Sequence, residues 1–165
     1  MDKLYIPKYF KLSFDLWMDQ SPTTFKKILH ITKGFSHSVC GARWPATWLQ
    51  PGEKLNLYHS FECLDTTQRY GHRYNGEEKL SVGEWHSISY QQVPVYNSTI
   101  AEIIITINGR VSHKIANRIP ERYDEMKAYF GLLPNEDELE LEKSLTGKIR
   151  NFQISELMEG YKGRS

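Results

Sequence analysis

The chain has 165 residues, a length that suits one domain with one hydrophobic core. Its formal net charge is +1, so charge alone gives no reason to expect a nucleic acid or an acidic membrane surface as partner. No run of about 18 apolar residues is present, so no membrane-inserting segment is expected. Aromatic residues make up 13% of the chain, which favours β-structure because Trp, Tyr and Phe suit pleated, half-buried surfaces.

The first strand signal is a period-two alternation over residues 10–17, whose apolar members are Phe10, Leu12, Phe14 and Leu16. These side chains are expected to face the core. Two short strands are predicted next, at Lys27–Thr32 and around Leu55–Tyr58, the second after a turn at Gln50–Gly52.

The clearest local signal is a hairpin between Ile103 and Ile115, because Asn108-Gly109 lies between two alternating runs and suits a turn that needs positive φ. Met126–Leu133 predicts another strand. Gly147–Ile154 predicts the last one, with a bulge because its apolar spacing breaks strict alternation. The segment Glu121–Asp124 is expected to form a helical turn.

Many short strands separated by turns indicate a sandwich or a barrel. The side chains expected between its sheets are large and apolar. They are Phe14, Leu16, Trp85, Ile105, Ile107, Phe130 and Phe152.

Several segments resemble one family of domains when taken in order. Val82–Ile88 contains Gly-Glu-Trp-His before a strand, a pattern similar to that of laminin G-like and pentraxin-like domains, and Ile105–Gly109 resembles the hairpin that those domains place next. Tyr129–Leu132 and Gly147–Phe152 match their last two core strands. Arg43–Leu49 (Arg-Trp-Pro-Ala-Thr-Trp-Leu) is similar to a segment of a divergent laminin G-like subset.

This resemblance implies an all-β fold, a two-sheet antiparallel jelly-roll sandwich of the laminin G-like or concanavalin A-like kind. We expect residues 1–165 to form a single such domain, with its core at about 9–154 and a polar tail at 155–165. The resemblance also implies extracellular recognition, with a protein or a glycan bound through rim loops, in a domain that belongs to a larger chain.

Two covalent features agree with an extracellular location. Cys40 and Cys63 border strand-like runs and are predicted to form a disulfide, which would stabilise the fold by about 3 kcal/mol. Asn97-Ser98-Thr99 is a glycosylation sequon between two strands. No other covalent group or cofactor is expected.

The acidic loop at residues 136–142 raises calcium as an alternative, because in pentraxin-like domains a loop in this place supplies calcium ligands, and calcium prefers six to eight oxygen ligands. The candidate ligands are Asp65, Asn135, Asp137 and Glu138. The competing interpretation is a solvated charge run, since Leu139 and Leu141 alternate with the acids as in a strand.

A glycan-active hydrolase is the enzymatic alternative, because enzymes on this fold carry carboxylates that alternate on one strand. Glu138, Glu140 and Glu142 alternate, but no third acid follows at the required place, so we expect no catalysis. The histidines show no spacing typical of zinc sites. They are His30, His37, His59, His72, His86 and His113.

A basic and aromatic segment is the candidate ligand contact, because such residues can stack on a sugar or bind an acidic glycan. It comprises Arg69, Tyr70, His72, Arg73 and Tyr74 and is expected to be a loop. The sequence therefore predicts a secreted, non-catalytic binding or adhesion module, with a calcium-dependent lectin and a glycan hydrolase as alternatives.

Overall fold

The computed structural model describes residues 3–34, 43–60, 71–131 and 145–158. All regular secondary structure in these ranges is β-strand, arranged as two antiparallel sheets, as the sequence predicted. Within the described ranges, no helix is long and apolar enough to cross a membrane.

One sheet has six strands in the spatial order β1-β10-β3-β4-β5-β6. They are β1 (Leu4–Ile6), β10 (Tyr123–Phe130), β3 (Lys26–Thr32), β4 (Ala46–Gln50), β5 (Lys54–His59) and β6 (His72–Lys79). The other has five strands in the order β11-β2-β7-β8-β9. They are β11 (Gly147–Glu156), β2 (Phe10–Met18), β7 (Trp85–Pro94), β8 (Ala101–Ile107) and β9 (Arg110–Asn117).

The core lies between the sheets and follows from the alternation of side chains along each strand. Strand β2 buries every second residue from Phe10 to Met18, and its neighbours in the register bury Ile88 on β7 and Ile105 on β8. Trp44, just before β4, is 1% exposed and packs edge-on against Phe10. Of the predicted core, Phe14, Leu16, Ile105 and Ile107 are confirmed as buried.

The predicted hairpin is confirmed, because Asn108 and Gly109 join β8 to β9 and both have positive φ, at 50° and 78°. The predicted irregularity in the last strand is also confirmed, since the register between β11 and β2 shifts between Arg150 and Gln153. The predicted helical turn at Glu121–Asp124 is wrong. Strand β10 already begins at Tyr123, whose neighbourhood pairs with β1.

The prediction that Trp85 fills the core is wrong. In the register of β2 with β7, His86 lies opposite the buried Leu16, whereas Trp85 lies opposite Trp17 on the outer side of the sheet. The His86 ring is 3% exposed, and its Nε2 lies 2.8 Å from the carbonyl oxygen of Ser81. Its Nδ1 accepts a hydrogen bond from the Asn108 amide at 3.0 Å. Burial of this polar ring is therefore compensated at both nitrogens.

Two other predicted core residues are less buried than expected. Phe130 ends β10 and is 47% exposed, and Phe152 lies on the edge strand β11 and is half-buried. Their rings meet edge-to-face with centroids 5.1 Å apart. Both lie at the margin of the sandwich, where each side chain has strand neighbours on one side only, so burial there is incomplete.

The exchange of roles between Trp44 and Trp85 predicts unequal stability effects. Trp44→Ala should lower the free energy of unfolding by about 3–5 kcal/mol, because it empties a fully buried site. Trp85→Ala should lower it by about 1 kcal/mol, because it removes surface ring contacts. Urea unfolding of both variants measures the difference, and equal losses would contradict the register described for β2 and β7.

Candidate functional site

Most of the side chains predicted to carry function lie outside the described residues. This is true of both cysteines of the predicted disulfide, of all four predicted calcium ligands and of the first two members of the basic and aromatic segment: Cys40, Cys63, Asp65, Asn135, Asp137, Glu138, Arg69 and Tyr70. Their roles stay predictions. Asn97 lies in the exposed turn between β7 and β8 with φ 53°. Its sequon is accessible.

The rest of that segment is a strand and not the predicted loop. His72, Arg73 and Tyr74 begin β6, so their side chains alternate between the two faces of the sheet. His72 and Tyr74 turn inward towards β9, where the Nε2 atoms of His72 and His113 are 2.9 Å apart and the Tyr74 hydroxyl is hydrogen-bonded to Ser112. These contacts join the edges of the two sheets and are part of the packing.

Arg73 points the other way and helps to form a cavity on the outer face of the six-stranded sheet. The cavity has a volume of about 350 Å³. We call it the arginine–aromatic cavity, and its lining consists of two guanidinium groups and three rings, from Phe25, Arg43, Trp48, Tyr58 and Arg73.

Cross-strand register brings these residues together from separate parts of the chain. Tyr58 on β5 pairs with Arg73 on β6, and Trp48 on β4 shares the outward parity because its partner Asn56 is two residues before Tyr58. Arg43 precedes β4 and reaches both rings, with its guanidinium carbon 4.8 Å from the Tyr58 centroid and 5.6 Å from the Trp48 centroid. Each distance is within the range of a cation–π contact.

Polar and steric contacts hold Arg73 and Tyr58 in place. The Arg73 Nε donates a hydrogen bond to the Asn56 side-chain oxygen at 3.3 Å, and the Asn56 amide in turn donates to Asn75. The Tyr58 ring lies against Gly71, where a β-carbon would come 2.4 Å from the tyrosine oxygen. A larger residue at Gly71 would displace that ring.

Arg43 is electrostatically unusual. Burial lowers the pKa of its guanidinium, Tyr58 opposes that shift, and the nearby Arg73 adds to it. Its Nε is buried and has no hydrogen-bond partner. A buried donor without a partner costs about 1–3 kcal/mol, and more when it is charged, so this position is one where a bound acceptor would restore lost stability.

The charge of the arginine–aromatic cavity is uncompensated within the described residues. No carboxylate there forms an ion pair with Arg43 or Arg73, whereas Lys79, Lys114 and Arg150 each have one. Two cations beside exposed aromatic faces can bind a planar or ring-shaped anion, because guanidinium groups match carboxylate and sulfate oxygens and the rings stack on apolar ring faces.

Two further residues lie on the same outer face. Tyr129 on β10 is the register partner of His30 on β3, and the His30 ring is 6.5 Å from the Trp48 ring between centroids. His30 is 3% exposed. The face therefore places a histidine and a tyrosine next to the arginine–aromatic cavity.

Sequence reasoning missed Phe25, Arg43, Trp48 and Tyr58 as candidates for binding. The available signal was parity, since Trp48 and Tyr58 alternate with the buried residues Leu49 and Leu57 and so had to face outward. Only the strand pairing shows that they meet Arg73.

No protein-family model matches the sequence, and no curated protein matches it. Among solved structures, a heptameric SAP-like pentraxin from Limulus polyphemus is similar, with a TM-score of 0.57, 8% identity, and coverage of 94% of this chain and 68% of that one. An endo-beta-1,4-glucuronan lyase from Trichoderma reesei has a TM-score of 0.54 and 17% identity, over 92% of this chain and 66% of that one.

A third structure, a candidate carbohydrate-binding protein from Bacteroides ovatus, has a TM-score of 0.53 and 12% identity, over 92% of this chain but 38% of its own length. These likenesses concern the fold. With the two antiparallel sheets, they confirm the predicted pentraxin-like, concanavalin A-like jelly roll.

The inward histidines predict that stability depends on pH. Burial lowers the pKa of His59 well below its usual value, and burial followed by the charge of His113 lowers that of His72. The unfolded chain binds protons near pH 6.5, which the folded chain does not, so the free energy of unfolding should fall as the pH drops from about 7 to 5.

Each of these two histidines can contribute a slope of up to about 1.4 kcal/mol per pH unit. Urea unfolding across this pH range tests the prediction. His59→Phe, which preserves the ring contacts with Trp44 and Tyr90, should flatten the profile. A parent profile that is already flat would show that these rings are not held neutral by burial.

Proposed function

We propose that this domain is a non-catalytic carbohydrate-binding module that holds an acidic oligosaccharide in the arginine–aromatic cavity. One observation carries the proposal: Arg43 and Arg73 line an aromatic cavity, no described carboxylate pairs with either, and the Arg43 Nε is buried without a partner. A ligand carboxylate or sulfate would supply the missing acceptor and the missing charge.

The cavity also suits the shape of a sugar. Its volume of about 350 Å³ is at the lower end of the range for small-molecule sites. Trp48 and Tyr58 present ring faces on which the apolar side of a pyranose can pack, and the pinned Arg73 offers fixed donors. The fold neighbours from Trichoderma reesei and Bacteroides ovatus, whose names refer to glucuronan and to carbohydrate, support this ligand class.

An extracellular location remains part of the proposal. It is supported by the predicted Cys40–Cys63 disulfide and by the accessible sequon at Asn97. A calcium-dependent contact through Asp65, Asn135, Asp137 and Glu138 would add a second element to recognition, and a protein that displays acidic glycans is an equally suitable partner.

A second candidate function is elimination on an acidic polysaccharide. The observation that favours it is the placement of His30 and Tyr129 as register partners beside the arginine–aromatic cavity. A uronate lyase needs a base for the C5 proton, an acid for the leaving oxygen and cations that neutralise the carboxylate. These residue types are all on this face.

The binding proposal predicts a selective loss of affinity on removal of either guanidinium. Arg43→Gln and Arg73→Gln should each weaken binding of a β-1,4-linked oligoglucuronate by about tenfold or more, because each removes a charge-assisted hydrogen bond. Calorimetric titration measures the effect. Added salt should weaken binding by the parent, and the neutral cello-oligosaccharide of equal length should not compete.

Arg110→Gln is the matched control, because Arg110 is an exposed arginine on β9, away from the cavity. Unchanged affinity in both cavity variants, or an equal loss in the control, would remove the basis of the proposal. The same mixtures separate the two functions: an unsaturated uronate, detected by its ultraviolet absorbance and absent with His30→Ala, would establish elimination in place of simple binding.

A further inference from the structure

The outer face of the five-stranded sheet carries a second ordered array of side chains. Strand register sets it out in rows. The first row is Lys148, Trp17 and Trp85, the second is Arg150, Asp15 and Ser87, and the third is Gln153, Ser13, Ser89 and Thr106. We call this array the tryptophan face.

The aromatic row is held by its neighbours. The Trp17 and Trp85 rings have centroids 5.7 Å apart and are tilted by 56°. The Arg150 guanidinium lies 3.9 Å from the Trp85 centroid, and the Lys148 ammonium lies 5.7 Å from that of Trp17. The rings are therefore fixed in orientation on the sheet surface.

Asp15 occupies the centre of the second row. Its Oδ2 accepts hydrogen bonds from Arg150 Nε at 3.2 Å and from Asn151 Nδ2 at 2.7 Å. Asn151 has φ 54° and lies within the β11 bulge, which directs its side chain to Asp15. The other carboxylate oxygen, Oδ1, accepts no hydrogen bond from the described residues, so this acceptor is oriented and available.

A cavity of about 530 Å³ extends from Asp15 over the third row. Apart from Lys11, its outward side chains are hydroxyls, amides and the carboxylate: Ser13, Asp15, Ser87, Ser89, Thr106, Asn151 and Gln153. The Asp15 charge is offset by Arg150 at 3.2 Å. This surface differs from the arginine–aromatic cavity because its charges are paired while its hydrogen-bonding groups are many and neutral.

We propose that the tryptophan face is a second binding site, separate from the arginine–aromatic cavity, and that it takes a neutral oligosaccharide. An acidic sugar is disfavoured because the exposed Asp15 Oδ1 would repel its carboxylate. A neutral sugar places a hydroxyl donor on Oδ1, further hydroxyls on the serine and threonine row, and an apolar ring face against Trp85. The two sites lie on opposite outer surfaces of the sandwich.

The four tryptophans of the chain report the two sites separately. In a ¹⁵N-labelled protein, cellohexaose, mannohexaose and laminarihexaose are titrated while the indole N–H signals are followed. At least one of these probes should shift the signals of Trp17 and Trp85 and leave those of Trp48 and the buried Trp44 in place. Oligoglucuronate should do the reverse for Trp48, so failure of either proposal is visible without the other.

Asp15→Asn should weaken the neutral probe by about tenfold or more, because it exchanges a charged acceptor for a neutral one. Asp124→Asn, an exposed aspartate on β10, is the matched control and should leave affinity unchanged. Three outcomes would each overturn the inference: no shift of Trp17 and Trp85 with any of the three hexasaccharides, an equal loss in both variants, or binding by Asp15→Asn at the parent's affinity.

Discussion

The alternation of side chains along β-strands is the constraint on which the rest of this structure depends. Each strand has one set of positions facing the core and one facing outward, and a change of parity would exchange them completely. Strand β2 shows both outcomes, since Phe10 to Met18 are buried at every second position while Asp15 and Trp17 face outward. The hydrophobic core therefore fixes the composition of the outer surfaces, and the candidate sites are the complement of the core pattern.

Local signals were enough to predict the parts of the fold that depend on local chemistry. The Asn108-Gly109 turn requires positive φ at two adjacent positions, and the sequence states that need directly. Trp85 was misplaced because its size suggested burial, although Ile88 and Tyr90 set the even-numbered parity that puts His86 inside. Size is a weaker guide than parity when an outward aromatic has cations beside it.

The candidate sites depend on pairings that are remote in sequence. Arg43, Tyr58 and Arg73 come from three segments whose alignment is set by the register of β4, β5 and β6, and no local pattern contains that register. The segment 69–74 was correctly chosen as a place for ligand contacts, but one residue of its described part, Arg73, faces the cavity. Its neighbours His72 and Tyr74 are used in packing against β9.

The pair of His72 and His113 constrains the open side of the sandwich in a way that hydrophobic packing does not. Their rings lie edge to edge with planes 2° apart, and Nε2 faces Nε2 at 2.9 Å. One nitrogen has to donate and the other has to accept, so the two imidazoles must adopt opposite tautomers and a single hydrogen atom spans the junction of β6 with β9. A second hydrogen atom there would set two donors against each other. The closure of this edge is thus a matter of proton inventory, and the seam between the two sheets carries its own stoichiometric limit.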